Sequence, residues 1–325
     1  MINREMCLVE DLRKLAMKPM RDGYGEVVVE VGRKNQEVVM LIADLLESLK
    51  LEGFKKEFPE RLVEMGIQEQ NMLGVATGLA MNNFIPFVNS IACFNPGNNW
   101  GQLRLSVCLT NENVKIVGGH SGFGNGADGA NQQSFDDLAL SRVLPNLTIL
   151  VPADYEQVKK AVWAMAERQG AVYMRMTKPA REVITTKETP FELGKAQVFR
   201  GGKDITIFAC GSMVYEAMKA AEILTGKIEV EVINVHTIKP IDVGTIVKSA
   251  KKTGKVITAE EHSVIGGLGS AVAEVLGENY PVPMIRVGMR DQFGESGEPA
   301  ELMQKYGLTS INLVNLIKKL VYKNE

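Results

Sequence analysis

An acidic residue follows a short polar turn within residues 64–72. The small residues at 74–80 predict a tightly packed helix, which places Glu69 near its start. A first-turn glutamate is often present only because the helix dipole favours negative charge. Here the apolar and aromatic run 87–94, at the next strand end, can hold a flat heterocycle beside the carboxylate. Glu69 is therefore a candidate for a carboxylate that works beside a bound ring.

The segment 118–133 is rich in glycine and follows a predicted strand. Such a segment is either a backbone that approaches a ligand or another chain closely, or a flexible loop. One of the three histidines of the chain, His120, lies in it. A lone histidine is usually structural, but the carboxyl end of a strand is where α/β sheets bind ligands. We therefore expect this loop to approach a ligand and His120 to contact it.

A second glycine cluster, residues 266–269, resembles a dinucleotide-binding fingerprint only loosely, because the full spacing and the acid of a βαβ unit are missing. We interpret it as close helix packing. The preceding Glu-Glu-His run, residues 260–262, predicts an ordered polar cluster rather than a catalytic set. His236 is assigned a structural role.

Short β-branched runs alternate with helical patterns along the chain, which is typical of a parallel sheet covered by helices on both faces. In the first half we predict strands at 38–42, 85–88, 114–117, 147–151 and 172–176, and a helix over 155–168. The polar stretch 185–190 predicts an extended, poorly packed linker. A second α/β unit follows, with predicted strands at 205–209, 230–234 and 255–259 and a helix over 214–224. The predicted fold class is α/β with two domains, 1–186 and 192–325.

Composition narrows the classes of function. The 325 residues suffice for two domains that each bury a core. With Lys+Arg 37 against Asp+Glu 39, the net charge of -2 gives no broad attraction to nucleic acid or to an anionic membrane. The four cysteines are widely spaced, so we expect reduced core residues. No charged-then-apolar leader opens the chain and no apolar stretch reaches the roughly 20 residues that span a bilayer, so we expect a cytoplasmic protein.

Residues 64–80, 118–133 and 141–154 resemble the pyrimidine-binding half of transketolases, and residues 286–297 resemble their C-terminal domain. The resemblance implies a thiamine-diphosphate-binding, pyrimidine-type parallel-sheet domain followed by a transketolase C-terminal-like α/β domain. The family's Gly-Asp-Gly…Asn motif, which holds Mg²⁺ and the cofactor diphosphate, is absent from the sequence. That combination resembles the C-terminal subunit of split transketolases, in which two short chains form an α2β2 enzyme.

The resemblance implies roles for residues that line the cofactor site. Glu69 matches the acid that hydrogen-bonds N1′ of the aminopyrimidine and promotes its proton exchange. Phe94 matches a phenylalanine that stacks on the ring, and Asp44 matches an acidic residue of the same pocket. Ile91 stands in place of a frequent aromatic residue.

The resemblance also implies a substrate site. The positions that grip the sugar phosphate carry Arg21, Ser48, His120 and Lys178. Asp128 matches the aspartate that binds a substrate hydroxyl. Gln132 stands where a histidine usually contacts substrate, and a glutamine can hydrogen-bond but cannot shuttle protons near neutral pH. Lys178 replaces an arginine, which exchanges a bidentate fork for a point charge.

The implied function is transfer of a two-carbon ketol group from a ketose phosphate to an aldose phosphate, in the pentose phosphate pathway. An N-terminal transketolase subunit would hold Mg²⁺ or Ca²⁺, and copies of this chain would contact each other as a homodimer. Three alternatives stay open: a beta chain of a 2-oxo-acid dehydrogenase, a relative of deoxyxylulose-phosphate synthase, and a non-catalytic pseudo-subunit. Arg21, Ser48 and Asp128 favour sugar phosphates, and the presence of Glu69 disfavours a pseudo-subunit.

Overall fold

A computed structural model describes residues 1–322 of the chain. In chain order its strands are β1 (Met17–Pro19), β2 (Val38–Ile42), β3 (Leu62–Glu64), β4 (Ile85–Ile91), β5 (Lys115–Gly119), β6 (Leu147–Leu150), β7 (Ala171–Arg175), β8 (Ala180–Glu182), β9 (Gln197–Arg200), β10 (Ile205–Ala209), β11 (Val230–Asn234), β12 (Thr237–Lys239), β13 (Val256–Ser263) and β14 (Met284–Met289).

The helices alternate with these strands. They are α1 (Met20–Lys34), α2 (Glu52–Glu57), α3 (Glu69–Ala80), α4 (Trp100–Gln102), α5 (Asp137–Arg142), α6 (Tyr155–Glu167), α7 (Met213–Ile223), α8 (Val243–Thr253), α9 (Leu268–Asn279), α10 (Pro299–Lys305) and α11 (Ser310–Val321). A π-helical segment, Leu103–Cys108, continues α4, and short 3-10 segments lie at Arg4–Met6, Pro59–Arg61 and Phe123–Asp128.

The first large sheet has the strand order β12-β6-β7-β5-β4-β2-β3. All neighbouring pairs are parallel except β12 with β6. The five strands predicted in the first half are all present. The sequence carries no comparable signal for β3 and β12, because each has only three residues and shows no alternation or apolar run of useful length.

The second sheet has the order β14-β13-β10-β11-β9, and only β9 runs antiparallel to its neighbour. The three strands and the helix predicted here are confirmed. The α/β fold class with mixed, mainly parallel sheets is therefore confirmed as well.

Both faces of the first sheet are buried, as expected of a parallel sheet between two layers of helices. In β2, Val39 and Leu41 pack toward α3 and the π-helical segment, while Met40 and Ile42 pack toward α1 and α6. The first of these cores continues into the second sheet through residues such as Phe208. One apolar core thus joins the two sheets.

The polar stretch 185–190 is packed at two of its residues, so the prediction of a poorly packed linker is wrong there, whereas residues 187, 188 and 190 are exposed. Thr185 and Thr189 are 1% and 2% exposed. The carboxylate of Asp154 accepts hydrogen bonds from the backbone N–H groups of Ile184 and Thr185, at 2.8 and 2.7 Å. Asp154 is distant in sequence from these two N–H groups, so the local sequence does not reveal it as their hydrogen-bond acceptor.

The two predicted domains exchange pieces at their edges. The N-terminal residues pair with the second sheet, since the N–H of Asn3 donates to the carbonyl of Phe199 at 2.9 Å. In the other direction, β12 lies between two segments of the second half but joins the first sheet. The division into 1–186 and 192–325 stays a prediction.

The four cysteines are free thiols, but not all lie in the core. Cys108 and Cys210 are buried as expected, Cys93 is half-buried, and Cys7 is exposed, so the prediction is wrong for Cys7. Burial raises the pKa of Cys93 to about 12, with nearby carboxylates adding to the rise, so it stays a protonated thiol near neutral pH. None of the helices in the described part of the chain is long and apolar enough to cross a membrane.

Candidate active site

The predicted site residues follow neighbouring strands at one edge of the first sheet. Because β2, β4, β5 and β7 are parallel neighbours, their carboxyl ends lie along the same edge. Asp44 follows β2, Ile91 ends β4, His120 follows β5, and Lys178 follows β7. This edge is where open α/β sheets bind ligands.

Glu69 is the first residue of α3 and is only 6% exposed. Its Oε1 accepts a hydrogen bond from Oγ of Ser90 at 2.9 Å, which ties the start of α3 to β4. A cavity of about 360 Å³ lies beside it, lined by residues 67–71 and Asn98. The prediction of a helix start at Glu69 is confirmed, and the carboxylate is sequestered yet adjacent to open space.

The turn that delivers Glu69 is fixed by a second acid, Glu64, at the end of β3. One oxygen of Glu64 accepts the N–H groups of Asp44 and Gly66, both at 2.9 Å. Gly66 has φ of 68°, a left-handed conformation that favours glycine. Asp44 also has positive φ, 55°, and its side chain is exposed at the edge. Glu64 was not predicted, because its role depends on β2 and β3 being neighbours.

Ile91 and Phe94 lie half-buried at the end of β4 and in the turn that follows it. Asn95 holds this turn, because its Nδ2 donates to the carbonyls of Val88 and Val117, both at 3.1 Å. Asn99 in turn donates to Oδ1 of Asn95 at 2.9 Å. Sequence reasoning assigned these asparagines no role; their clustering after a strand end was the available signal.

The four residues predicted to grip a phosphate come together, and we call them the anion cluster: Arg21, Ser48, His120 and Lys178. Nη1 of Arg21 donates to the carbonyl of Ser48 at 3.1 Å, and Oγ of Ser48 lies 2.9 Å from Nε2 of His120. Nζ of Lys178 donates to Oδ1 of Asn125 at 3.4 Å. Asn125 was missed by sequence reasoning, since it is one polar residue in a glycine-rich run.

His120 is the buried centre of the anion cluster, at 2% exposure. Burial, helped by the positive charges of Lys178 and Arg21, lowers its pKa to about 3. The ring is therefore neutral at physiological pH, and its Nδ1 has no hydrogen-bond partner among the described residues. Two cations, a hydroxyl and a neutral imidazole with a free ring nitrogen are suitable partners for an anionic group.

Asp128 and Gln132 lie on the glycine-rich segment beyond His120 but outside the hydrogen-bonded part of the anion cluster. The side chain of Asp128 is exposed and that of Gln132 is half-buried. Gln132 is fixed by its backbone, which receives a hydrogen bond from Asn125 Nδ2 at 3.5 Å. Both remain predicted substrate contacts.

The two histidines of the second half have the structural positions that the sequence analysis predicted. His236 is fully buried and stacks on Phe191, with ring centroids 4.2 Å apart. Nε2 of His262 accepts the N–H of Leu138 at 3.2 Å, so this ring is part of the contact between the two halves. Gly269 packs closely: a Cβ there would lie 2.9 Å from Oγ1 of Thr258. Within residues 1–322, no group of three or more His, Cys, Asp or Glu side chains is placed to hold a metal ion.

The parallel sheet, the buried carboxylate at a helix start and the anion cluster at the same edge define an α/β protein suited to hold a heterocycle and an anionic group. Family models agree with that class. The transketolase pyrimidine binding domain matches residues 16–182, and the transketolase C-terminal domain matches residues 194–313.

Individual relatives give the same result. A 6-deoxy-6-sulfo-D-fructose transketolase subunit, SqwH, of Clostridium sp. (strain MSTE9) is 42% identical over 93% of this chain and 94% of its own. A subunit of the apulose-4-phosphate transketolase of Phocaeicola vulgatus is 37% identical over 89% of this chain and 93% of its own. A split gene transketolase, solved as an inactive beta4 tetramer, is 45% identical with a TM-score of 0.88, covering 94% of this chain and 98% of that one. The chain belongs to the transketolase family, and the predicted resemblance is confirmed.

Proposed function

We propose that this chain is the C-terminal subunit of a split transketolase. With an N-terminal subunit it transfers a two-carbon ketol group from a ketose phosphate to an aldose phosphate. The observation that carries the proposal is the juxtaposition, on one sheet edge, of the buried Glu69 carboxylate and the anion cluster. Relatives named as transketolase subunits support it, because they match the chain over nearly their whole length.

The residues around Glu69 fit the pyrimidine end of thiamine diphosphate. The carboxylate is buried, accepts one hydrogen bond from Ser90 and lies beside a cavity. When bound, thiamine diphosphate supplies a nucleophilic thiazolium carbon that attacks carbonyl substrates. Glu69 would hydrogen-bond N1′ of the pyrimidine and stabilise its protonated form, while Ser90 keeps the carboxylate oriented. Phe94 and Ile91 would pack on the ring and Asp44 would line the pocket.

The anion cluster would hold the phosphate end of the sugar. Arg21 and Lys178 supply charge, and Ser48 and His120 supply hydrogen bonds. Asp128 and Gln132, farther along the same segment, would contact hydroxyl or carbonyl groups nearer the reacting carbon. The relatives named for a sulfonated and for a phosphorylated sugar indicate that the sugar substrate varies within the family.

The partner subunit would complete the site. We propose that it holds Mg²⁺ or Ca²⁺ and the cofactor diphosphate in an α2β2 assembly, with contact between two copies of this chain. The solved split gene transketolase named as an inactive beta4 tetramer supports self-association of such chains without activity.

The experiment is an assay of the chain alone, of a candidate N-terminal transketolase subunit alone, and of the mixture. Phosphorylated and sulfonated ketoses and hydroxypyruvate serve as donors. We expect ketol transfer only in the mixture. Oxidative decarboxylation of 2-oxo acids instead would support the dehydrogenase alternative, and no turnover with any donor in a stable complex would support the pseudo-subunit.

A further inference from the structure

Residues 122–134 form a closed loop, called here the glycine loop. At its neck the N–H of Gly122 donates to the carbonyl of Ser134 at 2.9 Å, and the two residues form an antiparallel bridge. His120 lies just before the neck, and Asp128 and Gln132 lie within the loop. Three predicted substrate contacts therefore depend on how this loop is held.

A carboxylate from the second half of the chain accepts a hydrogen bond at the neck. Glu261, in β13, is 6% exposed, and its Oε1 accepts the N–H of Phe123 at 2.8 Å. Its other oxygen accepts the hydroxyl of Ser212. Gly122 fits only because it lacks a side chain: a Cβ there would lie 2.6 Å from Cγ of Glu261, and its φ is 62°. The approach is too close for any other residue at that position.

Arg175, at the end of β7, binds the Ser134 side of the neck. It donates to the carbonyls of Glu261 and Ser134, both at 3.2 Å, and its Nε lies 2.9 Å from Oδ2 of Asp137. Asp137 also accepts the hydroxyl of Ser134 at 2.9 Å. The buried charges are thus paired and hydrogen-bonded, as a rigid buried network requires.

The glycine loop also contacts the second half at a separate place. The N–H of Gly297 donates to the carbonyl of Gly126 at 3.1 Å, and Nε2 of Gln133 donates to the carbonyl of Glu295 at 2.9 Å. Arg175 of the first sheet and residues of the second half thus both hold the glycine loop. The position of the loop therefore depends on contacts with the second half as well as with the first sheet.

We propose that Glu261 is a positioning residue for the anion cluster, through which the C-terminal half sets the affinity for phosphorylated substrates. This inference rests on the proposed function. Glu261 fixes Phe123, three residues after His120, and two residues before Asn125, which contacts Lys178. A shift of the neck would move both sides of the anion cluster at once.

The first test is hydrogen exchange of the full-length chain, which needs no activity. In Glu261→Ala, the buried N–H of Phe123 loses its acceptor, so we expect exchange in peptides covering 121–134 to rise by roughly tenfold or more. Glu261→Gln keeps an acceptor and a donor for Ser212, and should restore protection. Glu231→Ala is the matched control, since Glu231 is 1% exposed in β11 of the same sheet and accepts the hydroxyl of Thr206 away from the loop. If Glu261→Ala does not fold, Ser212→Ala takes its place, with a smaller rise expected.

The second test is kinetics of the assembled complex with the same variants. We expect Glu261→Ala to raise KM for a phosphorylated donor by about ten- to a hundredfold, with a much smaller change for hydroxypyruvate. Unchanged exchange in the loop overturns the inference even if the complex is a transketolase. Raised exchange with an unchanged KM for the phosphorylated donor also overturns it. A wild-type complex without activity overturns the proposed function, and the exchange result then still decides whether Glu261 holds the loop.

Discussion

Glu69 and His120 are both buried at the same sheet edge, but their surroundings favour different chemical roles. The carboxylate of Glu69 has one hydroxyl partner and an adjacent cavity, so it can exchange a hydrogen bond with a ring nitrogen. The imidazole of His120 is kept neutral by burial and by two cations, which lower its pKa. The ring is therefore suited to hydrogen bonding and not to proton transfer near neutral pH.

The first prediction concerns Glu69→Gln in the assembled complex. The amide keeps the size and a hydrogen bond but removes the charge that favours the protonated pyrimidine. We expect kcat to fall by roughly 10² to 10⁴, the usual contribution of an acid-base group, with thermal stability nearly unchanged. C2-proton exchange of the bound cofactor, followed by NMR, should slow in parallel. Unaltered exchange and turnover would leave Glu69 as an ordinary first-turn glutamate and favour the pseudo-subunit.

The second prediction concerns Lys178→Ala. Because Lys178 supplies one of the two positive charges of the anion cluster, we expect a higher KM for phosphorylated donors and nearly unchanged turnover of hydroxypyruvate. Lys203→Ala, which removes an exposed lysine paired with Glu229, is the control and should change neither. Equal losses with both donors would assign Lys178 to structure or to the reaction centre instead.

Residue by residue, the sequence indicates groups with recognisable chemistry but not the groups that support them. Glu69 and His120 stand out by type and by position near a helix start and a strand end. Ser90, Glu64 and Glu261 act through residues 20 or more positions away. Their roles depend on strand order and on the contact between the two halves, which local patterns do not encode.

At the scale of elements, the sequence predicted the strands and helices that have long apolar runs. It did not predict short edge strands or side chains that bind the backbone of a distant segment. β10 and α6 agree with their predicted bounds to within a residue. In the segment after β8, the prediction of a poorly packed linker, made because Pro and Thr favour extended backbone, is wrong at Thr185 and Thr189. Asp154 holds the start of this segment in place, because it accepts hydrogen bonds from the backbone N–H groups of Ile184 and Thr185. The same carboxylate caps α6 through the N–H of Gln157.

The third prediction follows from this double use of Asp154. Asp154→Ala removes a helix cap and leaves two buried N–H groups without an acceptor. We expect a loss of about 2–4 kcal/mol in the free energy of unfolding, measured by chemical denaturation. Thr309→Ala removes a cap with a single hydrogen bond, to Asn312, and should cost only about 1 kcal/mol. Equal losses would mean that the tie to 184–185 contributes nothing.

At the scale of the whole molecule, the two sheets form one connected structure. An apolar core and a buried polar network cross between them, and all three histidines of the chain are buried. Burial lowers the pKa of His120 and His236 to about 3 and that of His262 to about 4. Glu260 behaves oppositely, because burial raises its pKa to about 7.

The fourth prediction is the pH dependence that these groups cause. Below the usual histidine pKa of 6.5, the histidines are protonated in the unfolded chain but stay neutral in the folded chain. The free energy of unfolding therefore falls as the pH drops from 6.5 toward 4. The folded chain keeps the Glu260 proton below pH 7, which adds stability over the same range. Hence His236→Gln should flatten the fall, by about 1.4 kcal/mol per pH unit, and Glu260→Gln should steepen it. Denaturant midpoints at pH 7.5, 6 and 5 measure this, and identical slopes for all three proteins would contradict it.

Cofactor binding is the most direct test of a thiamine diphosphate site that is shared between two subunits. Calorimetric titration of thiamine diphosphate with Mg²⁺ would be run on this chain, on the N-terminal subunit and on the mixture. In the proposed site, this chain would supply the pyrimidine side through Glu69 and Phe94. Among residues 1–322 it presents no metal-binding group of three or more His, Cys, Asp or Glu. We predict weak binding to this chain alone and tight, Mg²⁺-dependent binding to the mixture. Tight Mg²⁺-dependent binding to this chain by itself would contradict the split site.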